Sequence, residues 1–110
     1  MSDVQKTVSP IEGQVIAEHP LASAKETDAV LVRAQRAFEA WRRTSLEERT
    51  KLVGAFVDAL VAKKSALADE LTLQIGRPRR YTEGELGGFE DRARTMMRLA
   101  PDALGDLDPG

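Results

Sequence analysis

The sequence predicts a mainly α-helical chain with an N-terminal β-hairpin. Three segments place Ser or Thr three residues before Glu, each directly ahead of apolar residues at helical spacing. Near the N-terminus, β-forming residues flank a Pro-x-x-Gly stretch that suits a turn. The length of 110 residues is that of one small domain. A hydrophobic fraction of 42% beside a charged fraction of 31% suits helices with one apolar stripe each, or a piece of a larger protein.

An arm and a hairpin are predicted over residues 1–22. The β-forming residues are Val8, Val15 and Ile16. They predict strands near residues 6–8 and 14–18, joined by a turn in which Pro10 takes the second position and Gly13 takes positive φ. Because a two-stranded hairpin alone is marginal in water, we expect it to lean on another element.

A helical segment is predicted over residues 23–104, followed by a polar tail at 105–110. Its three helices are expected at about residues 24–43, 46–75 and 83–100. The capping boxes that mark their starts are Ser23 to Glu26, Ser45 to Glu48 and Thr82 to Glu85. In each box the hydroxyl accepts from a backbone N–H inside the helix, and the Glu reaches back to the cap.

The apolar stripe of the first predicted helix ends in Phe38 and Trp41, three residues apart on one face. This spacing is typical of core aromatics. Arg42 and Arg43 follow in the expected last turn, where cations suit the carbonyl end of the helix dipole. Arg49, one residue beyond the second capping box, is interpreted as half of a structural ion pair with an acid on a neighbouring element.

The second predicted helix has one possible interruption, at "AKKSALADE", where Ser65 can cap a new turn. Gly76 and Pro78 end it. The third is predicted to stop at Pro101. Gly87 and Gly88 weaken its first turns, so a close approach between helices is one reason to have them.

No catalytic, cofactor-binding or metal-binding residue is predicted. Cysteine is absent, which excludes disulfides, thiolate metal sites and a cysteine nucleophile within this chain. The single His, His19, precedes Pro20 in a loop-like setting, which argues against a Ser-His-Asp triad. No pair of acids stands out as general acid and base. The glycines of "GELGG", residues 84–88, follow no predicted strand and so form no dinucleotide loop.

One basic stretch, "GRPRRY", holds Arg77, Arg79 and Arg80 next to an aromatic residue. Such a cluster can bind phosphate or single-stranded nucleic acid. The net charge of −2 argues against a nucleic-acid partner, and a solvated connector between helices is the better interpretation. No apolar run is long enough for a membrane partner, so the cytoplasm is expected.

The order of these segments resembles the N-terminal region of the aldehyde dehydrogenase superfamily. The stretches that carry the resemblance are "SPIEGQVIAEHPLAS", "AVLVRAQRAFEAW", "SLEERTKLVGAFVDALVAKKSALADELTLQIGRP" and "GELGGFEDRARTMMRLA". They are similar, in turn, to the family's first hairpin, its first helix, its next helical stretch and a helix leading towards the cofactor-binding sheet. The resemblance covers about residues 7–104. Arg77 and Gln74 stand where the family usually has Lys and Glu, which leaves the substrate unassigned.

The resemblance implies an incomplete domain of a larger enzyme, the leading part of an α/β Rossmann-like cofactor-binding domain. The implied activity is NAD(P)-dependent oxidation of an aldehyde to a carboxylic acid, by Cys attack on the carbonyl, hydride transfer and hydrolysis of the thioester. None of the family's chemical groups is matched here, so the segment is expected to act as scaffold and, alone, to bind neither NAD nor NADP. The implied partners are the remainder of the dehydrogenase chain and further copies in a homo-oligomer.

Two other functions fit the residues. A truncated gene could encode a free-standing helical protein-interaction module. Its binding stripe would be Leu60, Leu71, Phe89 and Met96. A small nucleic-acid binder would use the arginines of "GRPRRY" instead, and salt-sensitive binding of DNA or RNA would distinguish it.

Overall fold

A β-hairpin followed by four helices makes up the fold in a computed structural model, which describes residues 3–107. The elements are β1 (Val4–Val8), β2 (Val15–Pro20), α1 (Ala24–Trp41), α2 (Leu46–Val61), α3 (Lys64–Ile75) and α4 (Arg79–Ala103). The two strands pair antiparallel, from Val4 opposite Pro20 to Val8 opposite Val15. The predicted class, mainly α with an N-terminal hairpin, is confirmed.

The hairpin turn folds as its residues dictate. Gly13 takes a φ of 69°, and its N–H donates to the carbonyl of Ser9 at 2.8 Å. Ser9 is fully buried, and its own N–H donates to the carbonyl of Gln14 at 2.9 Å. Both strands run further than the predicted 6–8 and 14–18, because the pairing continues to the start of β1.

The hairpin leans on the end of α3, through Pro10. Gly76 caps that helix with a φ of 73°, and its N–H donates to the carbonyl of Thr72 at 2.9 Å. A Cβ atom at Gly76 would lie 2.9 Å from the Cγ of Pro10. Position 76 therefore requires glycine for its left-handed backbone and for the space that the turn occupies.

We expect Gly76→Ala to lower the free energy of unfolding by about 2 kcal/mol, because alanine is strained at positive φ and its methyl group meets Pro10. Urea unfolding followed by circular dichroism measures the loss. Gly54→Ala is the matched control: Gly54 lies inside α2 with nothing within 4 Å of its Cβ position. That change should stabilise the helix by up to about 1 kcal/mol. Equal changes in the free energy of unfolding for the two substitutions would contradict the conclusion that position 76 requires glycine.

Two of the three predicted capping boxes are present. The Ser23 hydroxyl accepts from the N–H of Glu26, and the Glu26 carboxylate accepts from the N–H of Ser23. Ser45 and Glu48 repeat this arrangement at the start of α2. In both boxes two hydrogen bonds from the serine hold the pKa of the glutamate below its ordinary value of 4.5. The bond from the serine backbone N–H has the larger effect, and the bond from its hydroxyl has the smaller one.

The prediction that the first helix reaches residue 43 is wrong, because α1 ends at Trp41. The Thr44 N–H and hydroxyl both donate to the Trp41 carbonyl, at 3.0 and 2.7 Å. Ser45 is extended, with ψ of 159°, as an N-cap requires. The chain therefore leaves α1 in order to form the N-cap of α2. Arg42 and Arg43 lie just beyond the last turn of α1.

Ser45→Ala is expected to cost about 1 kcal/mol of stability, because an orphan N–H of α2 loses its acceptor. It should also change the pH dependence. A glutamate whose pKa is lowered by folding stabilises the fold above its unfolded pKa, and that contribution disappears as the pH falls through the lower folded value. The variant should therefore lose less stability than the parent on acidification below about 4.5. Ser45→Thr, which keeps the hydroxyl, should behave as the parent does in acid urea titrations.

The second predicted helix, residues 46–75, is two helices. Ala62 and Lys63 separate α2 from α3, and Lys63 has a φ of −101° and a ψ of 13°. The suggestion that Ser65 caps the new helix is wrong: its hydroxyl accepts from the Arg79 side chain at 3.1 Å. The break lets both helices pack against α4, with Val57 of α2 and Ala68 of α3 fully buried.

The third predicted helix, residues 83–100, is longer at both ends. It begins at Arg79 directly after Pro78, so Thr82 lies inside α4 and forms no capping box. Thr82 is fully buried, its hydroxyl donates to the Arg79 carbonyl at 2.9 Å, and it lies 3.4 Å from the hydroxyl of Thr72. Pro101 does not end the helix, because it removes a single N–H donor and the next turn closes with Leu104 N–H donating to Ala100.

Little of the described chain is buried. Its accessible surface is 8994 Å², whereas a folded monomer of this length exposes about 6000 Å². The radius of gyration is 19.1 Å, against about 13 Å for a compact domain of this length. Among residues 3–107 the fully buried apolar side chains are Val57 and Ala68. The apolar faces of these helices are therefore largely uncovered among the described residues.

Candidate functional site

An apolar surface left open by the helices is the main candidate site. We define the uncovered surface by its large exposed side chains on α1 and α2: Val30, Leu31, Phe38, Trp41, Leu52, Val53 and Phe56. It includes a groove of about 710 Å³, the α1 groove. Its lining residues are Ala34, Ala37, Phe38, Ala40, Trp41, Thr44 and Leu52.

The prediction that Phe38 and Trp41 are core aromatics is wrong for the described residues. Phe38 is 53% exposed and Trp41 is 41% exposed, and every residue of α1 is exposed. The sequence correctly marks an apolar face on this helix, but no described element covers it. Exposed apolar area of this extent is typical of a surface that packs against another protein or another part of the same protein.

An aromatic pair joins α2 to α4, although both of its side chains stay exposed. Phe56 and Phe89 meet edge to face, with ring centroids 6.3 Å apart. Beside them Arg94 of α4 pairs with Asp58 of α2 at 2.7 Å and with Glu90 at 2.9 Å. Both pairs are exposed, so they orient the two helices more than they stabilise them.

Arg49 does not form the predicted ion pair with an acid of residues 3–107. Its guanidinium donates to the carbonyl of Thr44 at 3.2 Å, which ties α2 to the loop before it. Its Nε is buried and has no hydrogen-bond acceptor among the described residues. Arg49 thus helps to close the corner between α1 and α2.

The arginines of "GRPRRY" are separated by the fold, and the interpretation of the whole stretch as a connector is wrong beyond Pro78. Arg79 pairs with Asp69 of α3 and, at 3.0 Å, with Glu83. These hydrogen bonds raise the pKa of Arg79 above its ordinary value, and the bond to Asp69 has the largest effect. Arg77 pairs with Glu85 at 2.7 Å. Of the three arginines that could bind a phosphate, Arg77 and Arg79 are therefore already paired with carboxylates.

A second groove, of about 700 Å³, runs along α4. We call it the arginine groove. Its lining residues are Arg77, Arg80, Tyr81, Gly84, Glu85, Gly88, Phe89 and Arg92. Arg80 lies over the Tyr81 ring, with its Cζ 4.8 Å from the ring centroid. Neither Arg80 nor Arg92 takes part in an ion pair between residues 3 and 107.

The suggested helix–helix approach at Gly87 and Gly88 is absent from the described residues. A Cβ atom at Gly88 would meet nothing within 4 Å, and one at Gly87 would meet only the Lys64 Nζ at 4.0 Å. Gly84 is equally open. Gly84 and Gly88 instead line the arginine groove.

The sequence reasoning missed the arginine groove, although its signal is present. Arg80, Gly84, Gly88 and Arg92 recur every four residues, which places them along one ridge of a helix. The predicted start at residue 83 places Arg80 outside the helix, so the predicted helix does not contain the whole spacing. The observed start at Arg79, directly after Pro78, contains it.

The remaining chemistry of residues 3–107 is limited. No group of three or more His, Asp or Glu side chains in that range is placed to hold a metal ion. His19 lies in β2, opposite Gln5, and not in a loop. The "GELGG" stretch lies within α4. None of the described helices has the length and hydropathy needed to span a membrane.

Comparison with known sequences gives a family match along the chain. The model of the aldehyde dehydrogenase family matches residues 1–108. N-succinylglutamate 5-semialdehyde dehydrogenase of Caulobacter sp. (strain K31) is 30% identical over 91% of this chain and 21% of its own. The mitochondrial succinate-semialdehyde dehydrogenase of Arabidopsis thaliana is 32% identical over 94% of this chain and 20% of its own. Malonate-semialdehyde dehydrogenase 2 of Shouchella clausii (strain KSM-K16) is 27% identical over 99% of this chain and 23% of its own.

Comparison with solved structures gives the same fold. A point mutant of betaine aldehyde dehydrogenase from Staphylococcus aureus, in complex with NAD⁺, matches with a TM-score of 0.80 at 23% identity. The match covers 89% of this chain and 20% of that one. This chain therefore spans about a fifth of the length of the relatives it matches.

Proposed function

The chain belongs to the aldehyde dehydrogenase family, and we propose that it is the N-terminal part of an NAD(P)-dependent enzyme that oxidises an aldehyde to a carboxylic acid. The uncovered surface on α1 and α2 is the observation that carries the proposal. A helical layer with this much open apolar area needs a covering element, and the chain spans about a fifth of relatives such as the Caulobacter enzyme.

The role we propose for residues 23–104 is that of a scaffold. The α3–α4 and α2–α4 contacts fix three helices relative to one another, and α1 presents Phe38 and Trp41 to the remainder of the dehydrogenase chain. We propose that residues 1–22 act as a separate arm, whose described part, residues 3–22, reaches the layer through Pro10 and Gly76.

The catalytic groups are proposed to lie outside this segment. A thioester mechanism needs a cysteine nucleophile, and this sequence has none. NAD or NADP needs a glycine-rich turn between a strand and a helix, which residues 3–107 do not contain: Gly13 joins two strands, and Gly84 and Gly88 lie within α4. The described residues do not fit the cofactor, so we assign its binding to the remainder of the chain.

The relatives suggest a class of substrate. The three named above carry semialdehydes of succinylglutamate, succinate and malonate in their names. We propose that this enzyme likewise acts on an aldehyde that bears an acidic group. We further propose that it works in the cytoplasm as a homo-oligomer without nucleic-acid or membrane partners, which cell fractionation and light scattering would test.

The experiment is an assay of the full-length protein and of the 110-residue chain, each with NAD, with NADP and with a panel of aldehydes. Full-length protein is expected to form reduced cofactor in an aldehyde-dependent manner, and the 110-residue chain is expected to form none. Activity in the purified 110-residue chain would contradict the scaffold role.

A free-standing interaction module is the second candidate, and the same open surface favours it. This function requires the 110-residue chain to melt cooperatively alone, or to self-associate through half-buried Leu60 and Leu71 and exposed Phe89 and Met96. Light scattering measures the self-association of the chain, and thermal unfolding measures whether it melts cooperatively. A monomeric chain without a cooperative transition eliminates the module.

A further inference from the structure

We propose that Arg49 anchors the corner between α1 and α2 to an acidic side chain in the remainder of the dehydrogenase chain, carried by the element that also covers the α1 groove. This inference rests on the proposed function for the source of that element. The covering element is thereby given a definite chemistry: an apolar strip that fills the groove, with a carboxylate beside it. Arg49 takes no part in the chemical step.

The hydrogen bonds of Arg49 are incomplete among the described residues. Its Nη2 donates to the carbonyl of Thr44 at 3.2 Å, whereas its Nε is buried and has no acceptor between residues 3 and 107. A buried donor without an acceptor is destabilising, and more so when the group is charged. Because water does not reach this atom, a rotation of the side chain towards a protein oxygen is needed to satisfy it.

Arg79 shows what a half-buried arginine requires in this fold. By the exposure of the whole residue, Arg49 and Arg79 are half-buried, and the other arginines of residues 3–107 are exposed. Arg79 pairs with Asp69 and Glu83, whereas Arg49 pairs with no acid in that range. Removing a charge from water is unfavourable unless an opposite charge compensates it. A carboxylate therefore suits Arg49 better than a neutral carbonyl does.

The position of Arg49 places this carboxylate next to the α1 groove. Arg49 is bonded to Thr44, which lines the groove together with Trp41 and Leu52. Leu52 lies three residues beyond Arg49 on α2, so the two side chains are neighbours on one helical face. An element that fills the groove therefore passes beside Arg49 as well.

The same enzyme is favoured over a second copy of this segment as the source of the element. The chain covers about a fifth of the relatives it matches, and the solved structure that shares its fold holds that fold as 20% of a longer chain. A second copy that packs groove against groove presents the same lining to itself. That lining consists of alanines, Phe38, Trp41, Thr44 and Leu52, so it supplies no carboxylate.

The first part of the test identifies the covering element by photo-crosslinking in the full-length enzyme. The photoreactive residue p-benzoylphenylalanine replaces Phe38, which lines the groove, and in a control it replaces Arg36, which is exposed on α1 outside the groove. The Phe38 variant is expected to crosslink within its own chain, to a segment beyond residue 110 that contains Asp or Glu. The control should give at least tenfold less of this product. Replacement of Trp41 repeats the test if the Phe38 variant does not fold.

The products are separated on a denaturing gel and identified by mass spectrometry. A crosslink to a second subunit, to a segment without an acid, or no crosslink at all would overturn the inference.

The second part couples Arg49 to the acid that the crosslink identifies. Arg49→Gln and the amide variant of that acid are each expected to make the full-length enzyme unfold about tenfold faster, and the double variant should unfold no faster than either alone. Arg49→Lys, which keeps the charge without the guanidinium fork, should fall between Arg49→Gln and the parent. Arg43→Gln is the matched control and should change nothing, because Arg43 is exposed just beyond α1.

Unfolding is followed by tryptophan fluorescence, so the result does not depend on enzyme activity. Additive effects, which would make the double variant unfold about a hundredfold faster, would reject the pairing of Arg49 with that acid. If the full-length protein shows the coupling but oxidises no aldehyde, the proposed function fails and the anchor stands. If it oxidises aldehydes but shows no coupling, the anchor fails and the proposed function stands.

Discussion

Phe38→Asp in the full-length enzyme is expected to reduce activity and the yield of folded protein by more than tenfold. In the described chain this side chain is 53% exposed, so the substitution alone has little to disturb. Once the uncovered surface packs against the remainder of the dehydrogenase, the new carboxylate is buried without a partner. A buried unpaired charge costs several kcal/mol.

The measurement compares soluble yield and aldehyde-dependent cofactor reduction for Phe38→Asp with those for Arg36→Asp. Arg36 lies on the same helix, two residues away, where the helical turn points it to a different face. In the 110-residue chain both substitutions should change helicity little. A Phe38→Asp enzyme as active and abundant as the Arg36→Asp enzyme would show that this surface stays open.

Val57→Asp is expected to remove the fold of the α2–α4 layer. Val57 is fully buried where α2 meets α4, and it is the larger of the two buried apolar side chains among residues 3–107. A carboxylate at this fully buried position is removed from water, and changes of this kind can exceed about 4 kcal/mol. Since native stabilities are only about 5–15 kcal/mol, most of the stability of the layer would be lost.

Circular dichroism and urea unfolding follow this loss. Ala55→Asp provides the control, because Ala55 is exposed in the same helix and its change should stay within about 0.5 kcal/mol. Val57→Ala should fall between the two, since it removes apolar contacts without adding charge. If Val57→Asp unfolds at the same urea concentration as Ala55→Asp, the α2–α4 packing described above is wrong.

Helix ends that are set by residues close together in the sequence are predicted most reliably. A Ser-x-x-Glu box is satisfied within four residues, so Ser23 and Ser45 mark helix starts whatever surrounds them. Gly76 ends α3 for an equally local reason, its positive φ. The third box failed because a tertiary contact overrides it: Thr82 is buried beside Thr72 and lies inside the helix.

Features set by distant contacts are predicted less well. The break at Ala62 and Lys63 lies in the stretch "AKKSALADE", where the sequence indicates a possible interruption, but the apolar spacing does not show that α2 and α3 both pack on α4. The apolar faces were recognised, but their spacing does not tell which residues cover them. Phe38 and Trp41 are covered by none of the described residues.

The central claim is that this chain is one part of a dehydrogenase whose chemical groups lie elsewhere in the same protein. Sequencing the DNA that follows the codon of Gly110 tests it most directly. We expect an open reading frame of several times this length, encoding a strand followed by a glycine-rich turn for the cofactor, a general-base Glu and a nucleophilic Cys. A stop codon directly after Gly110 would contradict it, and the interaction module would then be the better explanation of the uncovered surface.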